Sequence, residues 1–308
     1  MSDATLVVSV PTNDLRVRLA GANPDVSFIE WDLSSPAPLG RIDIVVPPYM
    51  GMTGVLPRLK SVTTRLVQSQ SVGYDGVEAV LPRGVVFANA ASVHETSTAE
   101  LAVALMLASQ RGIDDFVRAS ARGRWEPRWH ESLADHVVLL VGYGGVGQAI
   151  ERRLEGFELT IVRVARTDRS DDRGRIYGVS ALPALLATAD VVVVSVPLDE
   201  STRHLVNDEF LTAMADGALL VNVARGGVAD TDALVSHARS GRLRLALDVT
   251  DPEPLPAQHA LFGLTNVLIS PHVGGATSAM LPRMARLLQE QINRMRHGEA
   301  PHNVVIRT

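Results

Sequence analysis

The chain has 308 residues, 46% of them hydrophobic, 20% charged and 4% aromatic, with a formal net charge of −5 at pH 7. That length suits two domains with a substantial core, and the acidic balance, without a basic face or tail, argues against a nucleic-acid partner. Cysteine is absent, which excludes disulfides, thiol catalysis and thiolate metal sites. The opening residues lack a basic segment followed by a long apolar core, and every apolar stretch is interrupted well short of a membrane span. A cytoplasmic protein with no membrane partner is expected.

Short apolar runs at 5–10, 26–31, 43–47, 64–70 and 85–90 predict strands, with helix-like segments near 14–20, 51–59 and 75–81 between them. Such alternation predicts a parallel sheet with helices on both faces. From Ser97 to about Gly123 the pattern becomes that of one long helix. Ser97 or Thr96 is its candidate cap, Glu100 lies in its first turn, and Leu101, Leu105 and Ala108 mark its apolar face. The loop that follows holds Trp125 and Trp129, two of the three tryptophans. They mark either an interface or packing under the helix.

The stretch 136–169 carries the strongest signal. An unbroken apolar run, 137–141, predicts a strand buried on both faces. It ends in Gly142-Tyr143-Gly144-Gly145-Val146-Gly147, which fits G-x-G-x-x-G. An amphipathic helix follows, with Val146, Ile150 and Leu154 on one stripe and Glu151, Arg152 and Arg153 elsewhere, and the run 159–164 predicts a second strand. A glycine turn between strand and helix is a dinucleotide site: the glycines admit a pyrophosphate to the main chain, and the helix N-terminus offers it free N–H groups. An NAD-binding unit usually places an acid about 20 residues on, for the ribose hydroxyls. Here Arg166 stands at that place, with Thr167 and Arg169 beside it. A guanidinium grips a 2′-phosphate that a carboxylate repels, so NADP is preferred and NAD remains possible. Asp168, Asp171 and Asp172 lie among these residues, so solvated loop charges are the ordinary alternative.

Further on, helices are predicted at 181–187, 207–214, 231–240 and 280–296, and strands at 190–196, 218–223, 244–249 and 266–270, with a loop after Arg169. Ligands of open α/β sheets bind past the carboxyl ends of strands. There the chain reads Ala224-Arg225-Gly226-Gly227, then Asp251-Pro252-Glu253-Pro254, then Pro271-His272-Val273-Gly274-Gly275. An Arg fixes the carboxylate or carbonyl of a small oxo acid, a His exchanges a proton, and a Glu orients the imidazole and favours its charged form. Each residue alone has a plain explanation as loop cation, turn residue or loop histidine. Their shared position past strand ends makes the joint coincidence improbable. The other histidines have no such company and no pair has metal-ligand spacing, so no metal is predicted.

Four segments, GYGGVG at 142–147, VNVARGGVADTDAL at 221–234, ALDVTDPEPLP at 246–256 and SPHVGGAT at 270–277, give the chain a specific likeness. It resembles the D-isomer-specific 2-hydroxyacid dehydrogenase family over nearly its whole length. The resemblance implies that Arg225, Glu253 and His272 form the catalytic set and that Asp248 binds the nicotinamide carboxamide. It implies that Pro197 and Thr202 lie near the cofactor, along with Val223, Ala224, Arg225, His272 and Gly274. It further implies that main-chain N–H groups of Val72 and Gly73 hold the substrate carboxylate, beside Arg225 and His272, with the loop from Pro47 to Gly51 closing over it. The Val-Ala-Arg-Thr segment is similar to the NADP-preferring glyoxylate and hydroxypyruvate reductase branch. Thr250 departs from the aromatic that many members carry there.

The expected fold is α/β, two Rossmann-like or flavodoxin-like domains with parallel sheets and helices on both faces. An NAD(P)-binding domain at 97–272 is inserted in a substrate domain made of 1–96 and 273–308. The implied activity is reduction of a 2-oxo acid to the (R)-2-hydroxy acid with NAD(P)H. The implied assembly is a homodimer through the long helix and its following loop. A nucleotide-sensing corepressor or scaffold, and a formate or phosphite dehydrogenase on the same fold, are the alternatives.

Overall fold

The computed structural model describes residues 5–308. The chain divides into two compact units, one made of residues up to His94 together with Ser278–Thr308, the other of Glu95–Thr277. In the first, strand and helix alternate: β1 (Leu6–Val10), α1 (Asn13–Ala20), β2 (Val26–Glu30), β3 (Ile44–Val45), α2 (Met52–Val55) running into a 3-10 turn (Leu56–Ser61), β4 (Leu66–Gln68), α3 (Val77–Val80) and β5 (Val86–Ala88). Successive side chains feed opposite faces of the sheet. Val8, Val10, Ile44, Leu66 and Ala88 enter one core, whereas Val45, Val67 and Phe87 enter the other. Strands buried on both faces show apolar runs rather than alternation, as these do.

The second unit opens with α4 (Glu95–Gln110) and α5 (Ile113–Ser120). These replace the single helix expected over 97–123. Gly112, between them, has φ +58°, and a Cβ there would fall 2.1 Å from His130 Cε1. The imidazole ring occupies the space a side chain would need, and only glycine adopts that turn at little cost. Nor does Ser97 cap the helix: α4 starts at Glu95, and the Ser97 hydroxyl instead lies 2.8 Å from that of Thr277.

There follow β6 (Val137–Val141), α6 (Gly145–Leu154), β7 (Thr160–Ala165), β8 (Arg169–Asp171), β9 (Gly174–Gly178), α7 (Leu182–Leu186), β10 (Val191–Val194), α8 (Asp208–Ala213), β11 (Leu219–Asn222), α9 (Thr231–Arg239), β12 (Arg244–Leu247) and β13 (Val267–Ile269). The strand order is β13-β12-β11-β10-β6-β7-β9-β8. All neighbours are parallel except β8 and β9, an antiparallel hairpin where a loop was expected. Arg163 Nη1 donates to the Arg173 carbonyl at 2.8 Å and ties this hairpin to β7. After β6 the chain steps outward to β7 and later returns to β10 on β6's other side. That reversal creates a crevice at the carboxyl ends of β6 and β10, the usual ligand position of an open parallel sheet.

The chain then returns to the first unit through α10 (Met280–Arg296) and β14 (Val304–Arg307). Helix α10 buries Met284, Leu287, Leu288 and Ile292 against the face that carries Val8 and Ile44. Strand β14 pairs antiparallel with β5 and was not foreseen, so the first sheet, of order β14-β5-β4-β3-β1-β2, also ends in an antiparallel edge.

Candidate active site

The glycine turn leaves β6 at Gly142, whose φ is +102°. Ser195, just past β10, donates its hydroxyl to the Gly142 carbonyl at 2.9 Å and pins the turn to the neighbouring strand. A Cβ on Gly147 would lie 2.2 Å from the Gly142 carbonyl oxygen, so helix and strand pack this closely only because residue 147 is glycine. Gly144 caps α6 with no side-chain acceptor, no acid lies in the first turn, and the space where its Cβ would point is open. Helices α8 and α9, in contrast, are capped by Asn207 and Asp230. Among the described residues no side-chain acceptor meets the first N–H groups of α6, and the residues fit the pyrophosphate of a dinucleotide. Val146, in the first turn, is half-buried against the core.

Tyr143 turns inward and is 4% exposed. Its hydroxyl donates to the Glu151 carboxylate, which also pairs with Arg163. Burial, and then the hydrogen bond to Glu151, push the phenol up to about 12. Glu151 lies off the apolar stripe of the sequence pattern, yet it is buried. It is the acidic centre of a polar strut between α6 and β7.

At the end of β7, Arg166 is 74% exposed in its side chain and its Nη2 lies 3.0 Å from Asp199 Oδ2. Thr167 follows, also exposed. Arg169 Nη2 reaches the Tyr143 carbonyl at 3.4 Å, and Asp168 pairs with Arg175 at 2.9 Å. Past β10, the Thr202 hydroxyl donates to the Pro197 carbonyl at 2.6 Å and accepts from the Asp199 N–H at 2.9 Å, so Pro197 and Thr202 belong to one tight turn.

Three adjacent strands present the remaining candidates at their carboxyl ends. β11 leads through Val223 and Ala224, both buried, to Arg225, β12 to Asp248 and Glu253, and β13 to His272. Arg225 is half-buried, and its Nη1 donates to the Ala224 carbonyl at 2.7 Å. The loops after β11 and β12 touch: a Cβ on Gly226 would lie 1.9 Å from the Thr250 carbonyl oxygen. His272 Nδ1 lies 2.5 Å from Glu253 Oε1. A carboxylate at Nδ1 favours a proton there, which leaves Nε2 to face a substrate.

Asp248 is 3% exposed. Its Oδ1 accepts from the Ser270 hydroxyl at 2.7 Å and the Val273 N–H at 2.9 Å, and its Oδ2 from the Gly274 N–H at 3.0 Å. The His272 N–H donates to the Asp248 carbonyl at 2.7 Å, and His272 holds φ +53°. One aspartate thereby fixes the whole loop that carries the imidazole, a role that the residue's likeness to a carboxamide ligand did not suggest. Neither Ser195 nor Asp199 carries a local signal in the sequence. Among the described residues no group of three His, Asp or Glu side chains is placed to hold a metal ion.

In the first unit, Val72 and Gly73 lie in the loop after β4. The Val72 carbonyl accepts from Asn89 Nδ2 at 2.9 Å, and no acceptor among the described residues meets the N–H of Val72 or Gly73. Gln70 Nε2 donates to the Pro47 carbonyl at 2.9 Å and Ser71 Oγ to that of Tyr49 at 3.2 Å, joining this loop to the 47–51 loop.

Residues 103–274 match the family model described as D-isomer specific 2-hydroxyacid dehydrogenase, NAD binding domain. The chain is 37% identical over 256 residues to a glyoxylate reductase of Pyrococcus furiosus, covering 78% of this chain and 75% of that protein. Among solved structures it is similar to a D-isomer specific 2-hydroxyacid dehydrogenase from Xanthobacter autotrophicus Py2 in complex with NADPH and MES. That match has a TM-score of 0.80 at 28% identity and covers 98% of each chain. It is also similar to an NADPH-dependent glyoxylate/hydroxypyruvate reductase from Sinorhizobium meliloti in complex with NADP and malonate, with a TM-score of 0.80 at 26% identity over 98% of this chain and 97% of that one.

Proposed function

The chain belongs to the D-isomer-specific 2-hydroxyacid dehydrogenase family and is an NAD(P)-dependent oxidoreductase, and on that footing we propose that it reduces a small 2-oxo acid of the glyoxylate or hydroxypyruvate kind to the (R)-2-hydroxy acid. NADPH is the preferred reductant. The observation that carries this reading is the Glu253–His272 contact of 2.5 Å at adjoining strand ends, on the sheet edge that also bears the glycine turn.

A bound reduced nicotinamide would supply the hydride that the carbonyl carbon receives. His272, protonated, gives the proton on Nε2 to the carbonyl oxygen as that oxygen takes up the displaced π pair. Glu253 holds Nδ1–H and stabilises the imidazolium before transfer. Arg225 pairs with the substrate carboxylate and draws electron density from the carbonyl. The N–H groups of Val72 and Gly73 are assigned to the same carboxylate. Asp248 keeps the His272 loop in place. The open N-terminus of α6 would hold the pyrophosphate of the cofactor, and Arg166, Thr167 and Arg169 would hold its 2′-phosphate.

A panel of 2-oxo acids, with glyoxylate and hydroxypyruvate first, assayed with NADPH and with NADH tests the reading. Turnover with at least one of them, faster with NADPH, is expected. Tight NADP(H) binding without turnover of any oxo acid would favour a binding protein, and NAD(P)H production from formate or phosphite would favour oxidation of those anions.

The assembly is proposed to be a homodimer. Trp125 and Trp129 are 95% and 102% exposed, and Val117 on α5 is also exposed; large apolar side chains left in solvent mark a protein interface. Light scattering should give twice the chain mass, and Trp125→Ala with Trp129→Ala should shift it toward monomer. A wild-type mass of one chain would refute the dimer.

A further inference from the structure

We propose that Asp199 is a specificity-determining residue that restrains the preference for NADPH and sustains use of NADH, by competing for Arg166 and by offering an acceptor to a ribose hydroxyl. The inference rests on the reading of Arg166 as the 2′-phosphate ligand. Strand β6, which ends in the glycine turn, lies between β7 and β10 in the sheet. Arg166 follows β7 and Asp199 follows β10, so their ion pair of 3.0 Å reaches across the top of that turn. Two flanking strand ends are thus linked over the place where the dinucleotide lies. A 2′-phosphate entering there meets a guanidinium whose charge is already balanced, and a carboxylate of its own sign beside it.

The carboxylate is not a loose surface charge. Its Oδ1 accepts from the Ser201 N–H at 2.8 Å and the Ser201 hydroxyl at 2.6 Å, while Thr202 braces the turn from within. These bonds hold Asp199 below the usual carboxylate range and keep it ionised. Oδ2 is thereby aimed at Arg166 rather than free to swing away. In an NAD-binding unit an acid at the end of the second strand accepts from the ribose hydroxyls. That place is Arg166 here, and the missing acceptor is supplied from a different strand.

The test is calorimetric titration of 2′,5′-ADP and of 5′-AMP, two probes that differ only in the 2′-phosphate, into wild type, Asp199→Asn, Arg166→Gln and the double variant, together with the ratio of kcat/KM for NADPH over NADH. Asn keeps the shape of the turn and removes the charge. Asp199→Asn should raise the 2′,5′-ADP to 5′-AMP affinity ratio roughly three- to tenfold, the size expected for one like charge near an exposed phosphate, and the kinetic ratio should move with it. In the Arg166→Gln background the same substitution should give a clearly smaller gain, because one of its two effects is exerted through Arg166. If Arg166→Gln collapses the affinity ratio but Asp199→Asn leaves it within twofold, Asp199 is no determinant and the phosphate site stands. If Arg166→Gln leaves the ratio unchanged, the phosphate site itself is wrongly placed.

Discussion

Replacing Asp248 with Asn should loosen the loop that carries the acid without touching the acid. The asparagine oxygen can keep the two bonds that Oδ1 now accepts, from Ser270 and Val273. Its amide nitrogen then faces the Gly274 N–H, 3.0 Å from where Oδ2 accepts now, and two donors meet in a buried place. A hydrogen bond to a buried charge contributes about 1.5–3 kcal/mol, and an unsatisfied donor adds to the loss, so the variant should be destabilised by about 2–3 kcal/mol. In a unit of this size that corresponds to a Tm lower by roughly 4–12 °C. The Val273 and Gly274 N–H groups flank His272, so slack there displaces the imidazole, and kcat should fall roughly ten- to hundredfold. Ser270→Ala, which removes one of the donors, should show the same pattern more weakly. Calorimetric melting and steady-state turnover on each variant measure both effects. An Asp248→Asn protein that melts and turns over like wild type would refute the anchoring role.

Three further outcomes are expected. Glu253→Gln retains a hydrogen-bond partner for Nδ1 but loses the charge that stabilises the imidazolium, and should lower kcat roughly 10²-fold with little change in melting temperature; unchanged kcat would leave Glu253 a turn residue. Gly147→Ala sets a Cβ 2.2 Å from the Gly142 carbonyl oxygen, so α6 must shift and dinucleotide affinity should drop at least tenfold by titration; wild-type affinity would show that the helix is not so constrained. Tyr143 is raised from 10.0 to about 12 in the folded chain, so its stabilisation is complete below 10 and is lost as pH climbs to 12. Tyr143→Phe should flatten that alkaline part of the stability profile; an identical slope in both proteins would contradict the buried phenol.

Much of the site was readable from local pattern. The run 137–141, the glycine turn and the following amphipathic helix announce themselves within a few residues, because a doubly buried strand and a tight turn leave little choice of composition. Arg225, Glu253 and His272 could be grouped because strand ends share an edge. What escaped notice lacks a local signature. Gly112 interrupts a helix whose apolar spacing continues past it, and only the His130 ring, far along the chain, shows why. Hairpin β8–β9 is polar and exposed over most of its length, so it carries no period-2 signal. The Asp199 contact joins residues 33 positions apart, and Asp248 gathers donors more than 20 positions away. Such roles are set by tertiary neighbours rather than by spacing.

The central claim is that the imidazole at position 272 is the proton donor to the oxo acid. Stopped-flow turnover of a 2-oxo acid by His272→Ala, with NADP(H) titrated into the same preparation, tests it most directly. The account predicts a rate lower by roughly 10²–10⁴-fold with nucleotide affinity nearly intact. A variant that binds NADP(H) and still reduces the oxo acid at the wild-type rate would contradict it.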